Sequence, residues 1–362
     1  MRAAGSIALA SAGIVATLAC GQSGPGGAAD VKGPREIKWT FNAGAPIVSL
    51  PTVAGGHVAV GASSGTFYLL GRNDGALAWK YDTRQDAEET TFPGDPLVAE
   101  DLILIGTQGK TEGHIYAFET ATGSVRWKHK VGRPQGEGAP ANAPGGVSAD
   151  LTRLGDAVLA TGLDGRLRCL DLMTGDERWG FDGAEPQSGP AAVPGRVFVG
   201  GADFKIHALD AASGAPIWET EIEAVVATAL TVLDGGIYVG TSPFYVMRLD
   251  AESGAITGKS PLQAKPLGRV VASQAALLVF LGSGSEGSDA ETVISLDTEP
   301  KRIQWGRKAP SGWTSVHPTP WRDVTLLGDR GGELFAYGQA DGAKRWSLKF
   351  EQPIGAIGVS DD

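Results

Sequence analysis

The chain has 362 residues, 53 of them Gly, with 41 acidic against 31 basic side chains and a net charge of -10 at neutral pH. No basic stripe is available to neutralise phosphates, which argues against nucleic acid as a partner. Length alone would suggest two domains, but the scarcity of long apolar runs beyond the first 20 residues and the density of Gly point to one all-β unit with many turns.

The chain opens with "MRAAGSIALASAGIVATLAC", one basic residue followed by an uncharged, Ala-rich run from Ala3 to Ala19. This is short for a membrane-spanning helix and fits a signal peptide over residues 1–19. The run ends at Cys20, and "TLAC" resembles the bacterial lipobox, in which the Cys is lipidated after cleavage; Thr17 departs from the Leu usual there. Residues 20–35, including "GQSGPGGAADVKGP", have no apolar period and read as a flexible tether reaching roughly 20 Å. A lipid on Cys20 would hold the following domain just off a membrane surface.

From Trp39 onward one frame recurs. It closes at Trp79, Trp127, Trp179, Trp218, Trp305 and Trp346, with Gly258 where a seventh Trp belongs. Spacings of 39 to 52 residues suit a four-stranded propeller blade. In the copy "ALDAASGAPIW", Asp210 can accept hydrogen bonds from the turn that follows, and Gly214 supplies the positive φ that turn needs. Trp218 then stands on the outer strand, where its ring can cover the next sheet. Upstream, stretches such as "RVFVGGADFKIHALD" show two alternating apolar runs around a Gly turn, a hairpin of strands b and c. Strand a precedes it and the Trp-bearing strand d follows. Residues 36–362 are therefore expected to form a single β-propeller of antiparallel blades, seven complete repeats plus a partial eighth made of "IKWTF" and "PIGAIGVS", with strands b and c of the eighth missing: either the chain is C-terminally incomplete, or the two end strands pair into a reduced eighth blade. Gly258 marks a weak junction at which Gly258→Trp should be tolerated or stabilising.

Little along the way suggests chemistry. The five His residues lack metal-ligand spacing, and "GSGSEG" lacks the Lys-Ser/Thr ending of a phosphate loop. Cys169 falls in strand c, equivalent to Ala117, Ala208 and Ala336, and reads as a buried thiol. The repeats vary mainly in the b-to-c and d-to-a connections, at 107–114, 282–291, 83–91 and 133–146. In an up-and-down meander all four lie on one face of the disc, the expected partner face. Trp313, outside the docking frame and near a d-to-a connection, is the candidate aromatic contact there.

The A-x-D-x-x-x-G-x-x-x-W frame resembles the tryptophan-docking motif of pyrroloquinoline-quinone (PQQ) enzymes and their non-enzymatic relatives, over nearly all of residues 36–360. With the leader and Cys20, the chain looks most like the lipoproteins of the outer-membrane β-barrel assembly machine. That resemblance implies a non-enzymatic scaffold at the outer membrane, facing the periplasm, without cofactor or metal, that binds a β-barrel assembly subunit. It also implies eight blades. The alternatives are a periplasmic ligand-binding or sensor propeller, and a PQQ-dependent dehydrogenase; the latter commonly carries a vicinal Cys pair, which this sequence lacks.

Overall fold

A computed structural model describes residues 6–10, 14–19, 36–88, 90–134, 140, 142–183, 188–272, 276–282, 292–300, 302–313 and 317–360. In blade 4 the strands are Ala191–Val193 (a), Arg196–Gly200 (b), Lys205–Asp210 (c) and Pro216–Glu221 (d), antiparallel and hydrogen-bonded in that order. Strands b and c are apolar along most of their length and largely buried, because a neighbouring blade covers each face of the sheet. Strand d is mostly exposed and forms the rim. Seven such sheets follow one another from Thr52 to Lys349, giving the all-β propeller.

The eighth sheet closes the ring. Its order is Ala356–Ser360, Ser6–Ala10, Ile14–Ala19, Glu36–Asn42. The two flanking strands occupy places a and d of a partial blade, as the sequence suggests, but places b and c are taken by residues from the leader-like run. The c-to-d register shift falls at Thr17/Leu18, opposite Trp39 and Ile37. Blade 4 has its shift at the same point, Ala208/Leu209 opposite Trp218 and Pro216.

Between blades, six docking Trp side chains reach the c-to-d turn of the next blade. Trp39, Trp79, Trp127, Trp179 and Trp305 donate from Nε1 to the carbonyls of Arg72, Thr120, Leu172, Ala211 and Gln339 at 2.8 to 3.1 Å. Each of these carbonyls belongs to the residue just after the Asp position of the frame. The turn Gly must lack a Cβ because the ring lies flat on it: a Cβ at Gly214 would stand 2.5 Å from Cε3 of Trp179, and Gly214 has φ +71°. Asp210 holds that turn, accepting from the amides of Ala212 and Ser213 and from the Ser213 hydroxyl. The Ser213 hydroxyl and amide keep its carboxyl below the usual carboxylate range. Trp218 lies over Gly254 in the same way, yet its Nε1 and that of Trp346 find no acceptor among the described residues. Cys169 is buried and its thiol is pushed up to about 11 by that burial.

Gly258 is not a weak point awaiting a Trp. In the sequence of blade 6 Lys301 stands at the frame position of the platform Gly, preceded by Pro300, and a Cβ on Gly258 would already stand 3.1 Å from Cδ of Pro300. The carbonyl that an indole would reach, that of Thr298, accepts instead from the Tyr238 hydroxyl at 2.8 Å. Arg248 lies over the Tyr238 ring, 5.9 Å from its centroid. The junction between blades 5 and 6 therefore substitutes a phenol from strand b for the missing indole, and Gly258 clears the way for Pro300.

Candidate functional site

Three of the four length-variable connections meet on one face. Gln108–Gly109, from the b-to-c connection of blade 2, pairs with Gly145–Gly146, from the connection entering blade 3. Thr91, entering blade 2, exchanges backbone hydrogen bonds with Gln108 at 2.8 and 2.9 Å. Gly146 permits this close approach, since a Cβ there would stand 2.3 Å from the Thr107 carbonyl and its φ is +119°. Residues 283–291 lie outside the described residues.

This ledge is pinned by a partly buried polar cluster. Asp86, just past the short 3-10 helix Thr83–Gln85, accepts from the hydroxyls of Tyr81 at 2.7 Å and Tyr116 at 3.0 Å, and from the Lys128 ammonium. Burial alone would raise its carboxyl, but the hydrogen bonds from Lys128, Tyr81 and Tyr116 together hold it below its ordinary value. Tyr81 is pushed up to about 12, by burial first and then by Asp86. At the other end of the insertion, the Thr83 and Thr90 hydroxyls lie 2.6 Å apart. The described residues of these insertions are therefore held together as one hydrogen-bonded surface.

Trp313 does not belong to that surface. It is 2% exposed, fills the space between blades 6 and 7, and meets Phe335 and Tyr337 edge-on at 5.7 and 6.4 Å. Its Nε1 donates to the Arg307 carbonyl at 3.3 Å. Expecting it as a partner contact was an error: a ring beside a loop in sequence is here a core ring in space.

The exposed aromatics of the face are elsewhere. Blades 1, 3 and 7 place Gly65, Gly165 and Gly332 at one position of the b-to-c turn, with φ of +77°, +83° and +82°. The equivalent residues of the adjacent blades 4 and 5 are Phe204 and Phe244, 48% and 37% exposed. Phe204 adopts φ +63°, a conformation costly for a bulky residue. The two rings thus stand at the same turn position of adjacent blades.

At the axis the heads of the innermost strands enclose a pocket of about 270 Å³, lined by Leu50, Asp95, Asp150, Pro190, Leu230 and Arg269. These residues lie at the d-to-a end of strand a, so the pocket belongs to the face that carries the insertions. Asp95 and Asp150 occupy equivalent places, two residues ahead of strands Leu97–Ala99 and Thr152–Leu154. Asp95 accepts from the Leu50 amide at 2.7 Å, and its own amide donates to Asp150 at 2.8 Å. Arg269, from blade 6, crosses the axis to Asp150 at 2.5 Å and Asp95 at 3.3 Å. Burial, and then the Asp150 charge, push the Asp95 carboxyl up to about 6. His317 is held down at about 4, by burial first and then by Arg269. This trans-axial cluster was not anticipated from the sequence. It does not fit a metal-held redox group: among the described residues no three His, Cys, Asp or Glu side chains converge, and both axial carboxylates face a guanidinium.

Comparison with known proteins bears on this geometry. The family model described as "Outer membrane protein assembly factor BamB" matches residues 32–182, 163–257 and 242–360. The outer membrane protein assembly factor BamB of Burkholderia pseudomallei (strain K96243) is 28% identical over 203 residues, covering 52% of this chain and 49% of that protein. The matched regions span about a third to a half of the length of such curated relatives. Among solved structures, BamB from Moraxella catarrhalis superimposes with a TM-score of 0.63 at 20% identity, covering 84% of this chain and 88% of that one. A europium-containing methanol dehydrogenase superimposes with 0.52 at 15%, covering 97% and 77%. These two likenesses speak to the fold alone. With its repeats matched from residue 32 to residue 360, the chain belongs to the family of the outer membrane protein assembly factor BamB.

Proposed function

We propose that this chain is a non-enzymatic, protein-binding scaffold of outer-membrane β-barrel assembly, which presents its insertion-bearing face to another subunit of the assembly machinery. The observation that carries this reading is the gathering of connections 83–91, 107–113 and 143–147 into one hydrogen-bonded ledge, on the face that also exposes Phe204 and Phe244. Exposed aromatic anchors on a fixed surface suit protein recognition. Family membership supplies the partner class.

In this reading residues 1–19 act as a leader and Cys20 carries the lipid. Strand d of blade 8 begins at Glu36 on the c-to-d side. The tether therefore leaves from the side opposite the insertions, and the lipid directs those insertions away from the membrane.

Co-purification from the native envelope tests the proposal. Wild-type chain should retain the barrel-insertase subunit, and Phe204→Ser with Phe244→Ser should weaken its capture about 30-fold, as loss of roughly 2 kcal/mol at a hot spot implies, with an unchanged melting temperature. Undiminished capture by the double variant would remove the face assignment.

A further inference from the structure

Two carboxylates at the axis share one cation. Each commits one oxygen to a backbone amide: Oδ1 of Asp95 accepts from Leu50 at 2.7 Å, and Oδ1 of Asp150 accepts from Asp95 at 2.8 Å. Their other oxygens converge on a single atom, since Nη2 of Arg269 donates to Oδ2 of Asp150 at 2.5 Å and reaches Oδ2 of Asp95 only at 3.3 Å. A guanidinium matched to a carboxylate presents two parallel N–H groups to it; here one nitrogen serves two carboxylates. Among the charged side chains that line the pocket two are negative and one is positive. His317, held down at about 4, is neutral at pH 7 and adds no charge. The pocket is therefore one positive charge short.

Blades 4 and 5 leave room for the missing charge. At the places where blades 2 and 3 carry Asp95 and Asp150 they have Gly189 and Ala229, and both small residues line the cavity of about 270 Å³. That volume lies just under the roughly 300 Å³ at which pockets for drug-sized ligands begin, so it suits one narrow group. The remaining wall is largely apolar, formed by Leu50, Leu97, Leu151, Pro190 and Leu230. Solvent reaches the acidic floor, because the Asp95 and Asp150 side chains are 20% and 28% exposed. An aliphatic stem can bury its methylenes on such walls while an ammonium head keeps three donors for the floor. A second planar guanidinium fits less well, since neither carboxylate has both oxygens free for a fork.

We propose that the axial pocket is a receptor for a primary ammonium on an aliphatic stem, which enters from the insertion-bearing face and bridges Oδ2 of Asp95 and Oδ2 of Asp150. This is the chemistry of a lysine side chain and of a free alkylamine. The receptor does not rest on the assembly function proposed above; a lysine of the assembly subunit as its source does.

Calorimetric titration of the full chain with 1,5-diaminopentane at pH 7.5 tests this without any partner present. One site is expected, with ammonium chloride, which lacks the stem, at least tenfold weaker. Asp150→Asn should abolish the site. Arg269→Gln removes the resident cation and should tighten binding about tenfold, whereas an Arg269 that only braces the fold would give unchanged or weaker binding. Ala229→Lys supplies the ammonium from within and should leave a folded chain that takes up no diamine. The groups facing Asp95 are Asp150, Arg269 and, through them, His317. With a pKa of about 6, Asp95 is about nine-tenths protonated at pH 5, so affinity should fall about tenfold between pH 7.5 and 5. The source is read separately: diamine that displaces the captured insertase assigns a lysine of that subunit, and diamine that binds without displacing it assigns a free amine. No binding at about 10 mM diamine, or an affinity indifferent to Asp150→Asn and to pH, would overturn the receptor.

Discussion

Truncation of Trp179 to Ala isolates the contribution of one docking ring. The ring is 9% exposed, lies on Gly214, packs with Leu159, Leu167, Cys169 and Val197, and donates to the Ala211 carbonyl at 3.1 Å. A Trp buries 150–250 Å², about 4–6 kcal/mol at 25 cal/mol per Å², and the hydrogen bond adds about 1. Relaxation at the rim returns part of this, so Trp179→Ala should cost roughly 3–5 kcal/mol. Trp218 rests on Gly254 equally closely but is only half-buried, and its Nε1 has no acceptor among the described residues. Trp218→Ala should therefore cost about 1–2 kcal/mol less than Trp179→Ala. Trp179→Phe separates the two contributions by removing the hydrogen bond and only part of the area. Urea denaturation followed by far-UV circular dichroism gives the midpoints, compared at constant m. Equal losses at 179 and 218, or a neutral Trp179→Ala, would refute the docking reasoning.

At the junction of blades 5 and 6, Gly258→Trp should destabilise, because Pro300 occupies the space, and Tyr238→Phe should cost about 1 kcal/mol for the bond to Thr298; denaturant midpoints above wild type for Gly258→Trp would contradict this. For Asp95 the sign follows from a folded pKa of about 6, above the ordinary Asp value. The folded chain binds the extra proton between about pH 4 and 6, so the group lowers stability above pH 6 and the cost is relieved as pH falls through 6 toward 4. Asp95→Asn should flatten the stability profile between pH 7 and 5 and change stability at pH 7 by about 1–2 kcal/mol, the channel being partly open to water; an unchanged profile by calorimetry would show that Asp95 is not the titrating group. Cys20→Ser should move the protein from the membrane to the soluble periplasmic fraction with an unchanged melting temperature, and retention in membranes would argue against the lipid anchor.

How much of this was legible in the sequence depends on whether a signal is local. The blades are, because each copy carries at least two of the acid, Gly and Trp of the frame within eleven residues and its own alternating hairpin. Gly258 was misread because the Trp of one repeat answers to the turn of the next. The missing Trp and the missing turn Gly at Lys301 belong to one junction, although they stand 43 residues apart. Trp313 was misplaced for a related reason, since what buries it is Phe335 and Tyr337 of its own blade together with Leu278, Phe280 and Trp305 of blade 6. The Asp95, Asp150 and Arg269 cluster exists only once the ring has closed. A trace was nonetheless present, since charged residues stand where blades 1, 4 and 5 have Leu50, Gly189 and Ala229. Residues 6–19 show the opposite case: one short apolar pattern satisfies both a leader and two inner strands, and periodicity alone does not separate them.

The central claim is that the face bearing the 83–91 and 107–113 connections, Phe204 and Phe244 is the one a barrel-assembly subunit contacts. Photoreactive residues installed singly at Lys110, Phe204 and Phe244, and at Ser213, Ser253 and Asp341 in the c-to-d turns, test it in the native envelope. Adducts with the barrel insertase are expected from the first three positions and not from the second three; adducts confined to Ser213, Ser253 or Asp341 would contradict it.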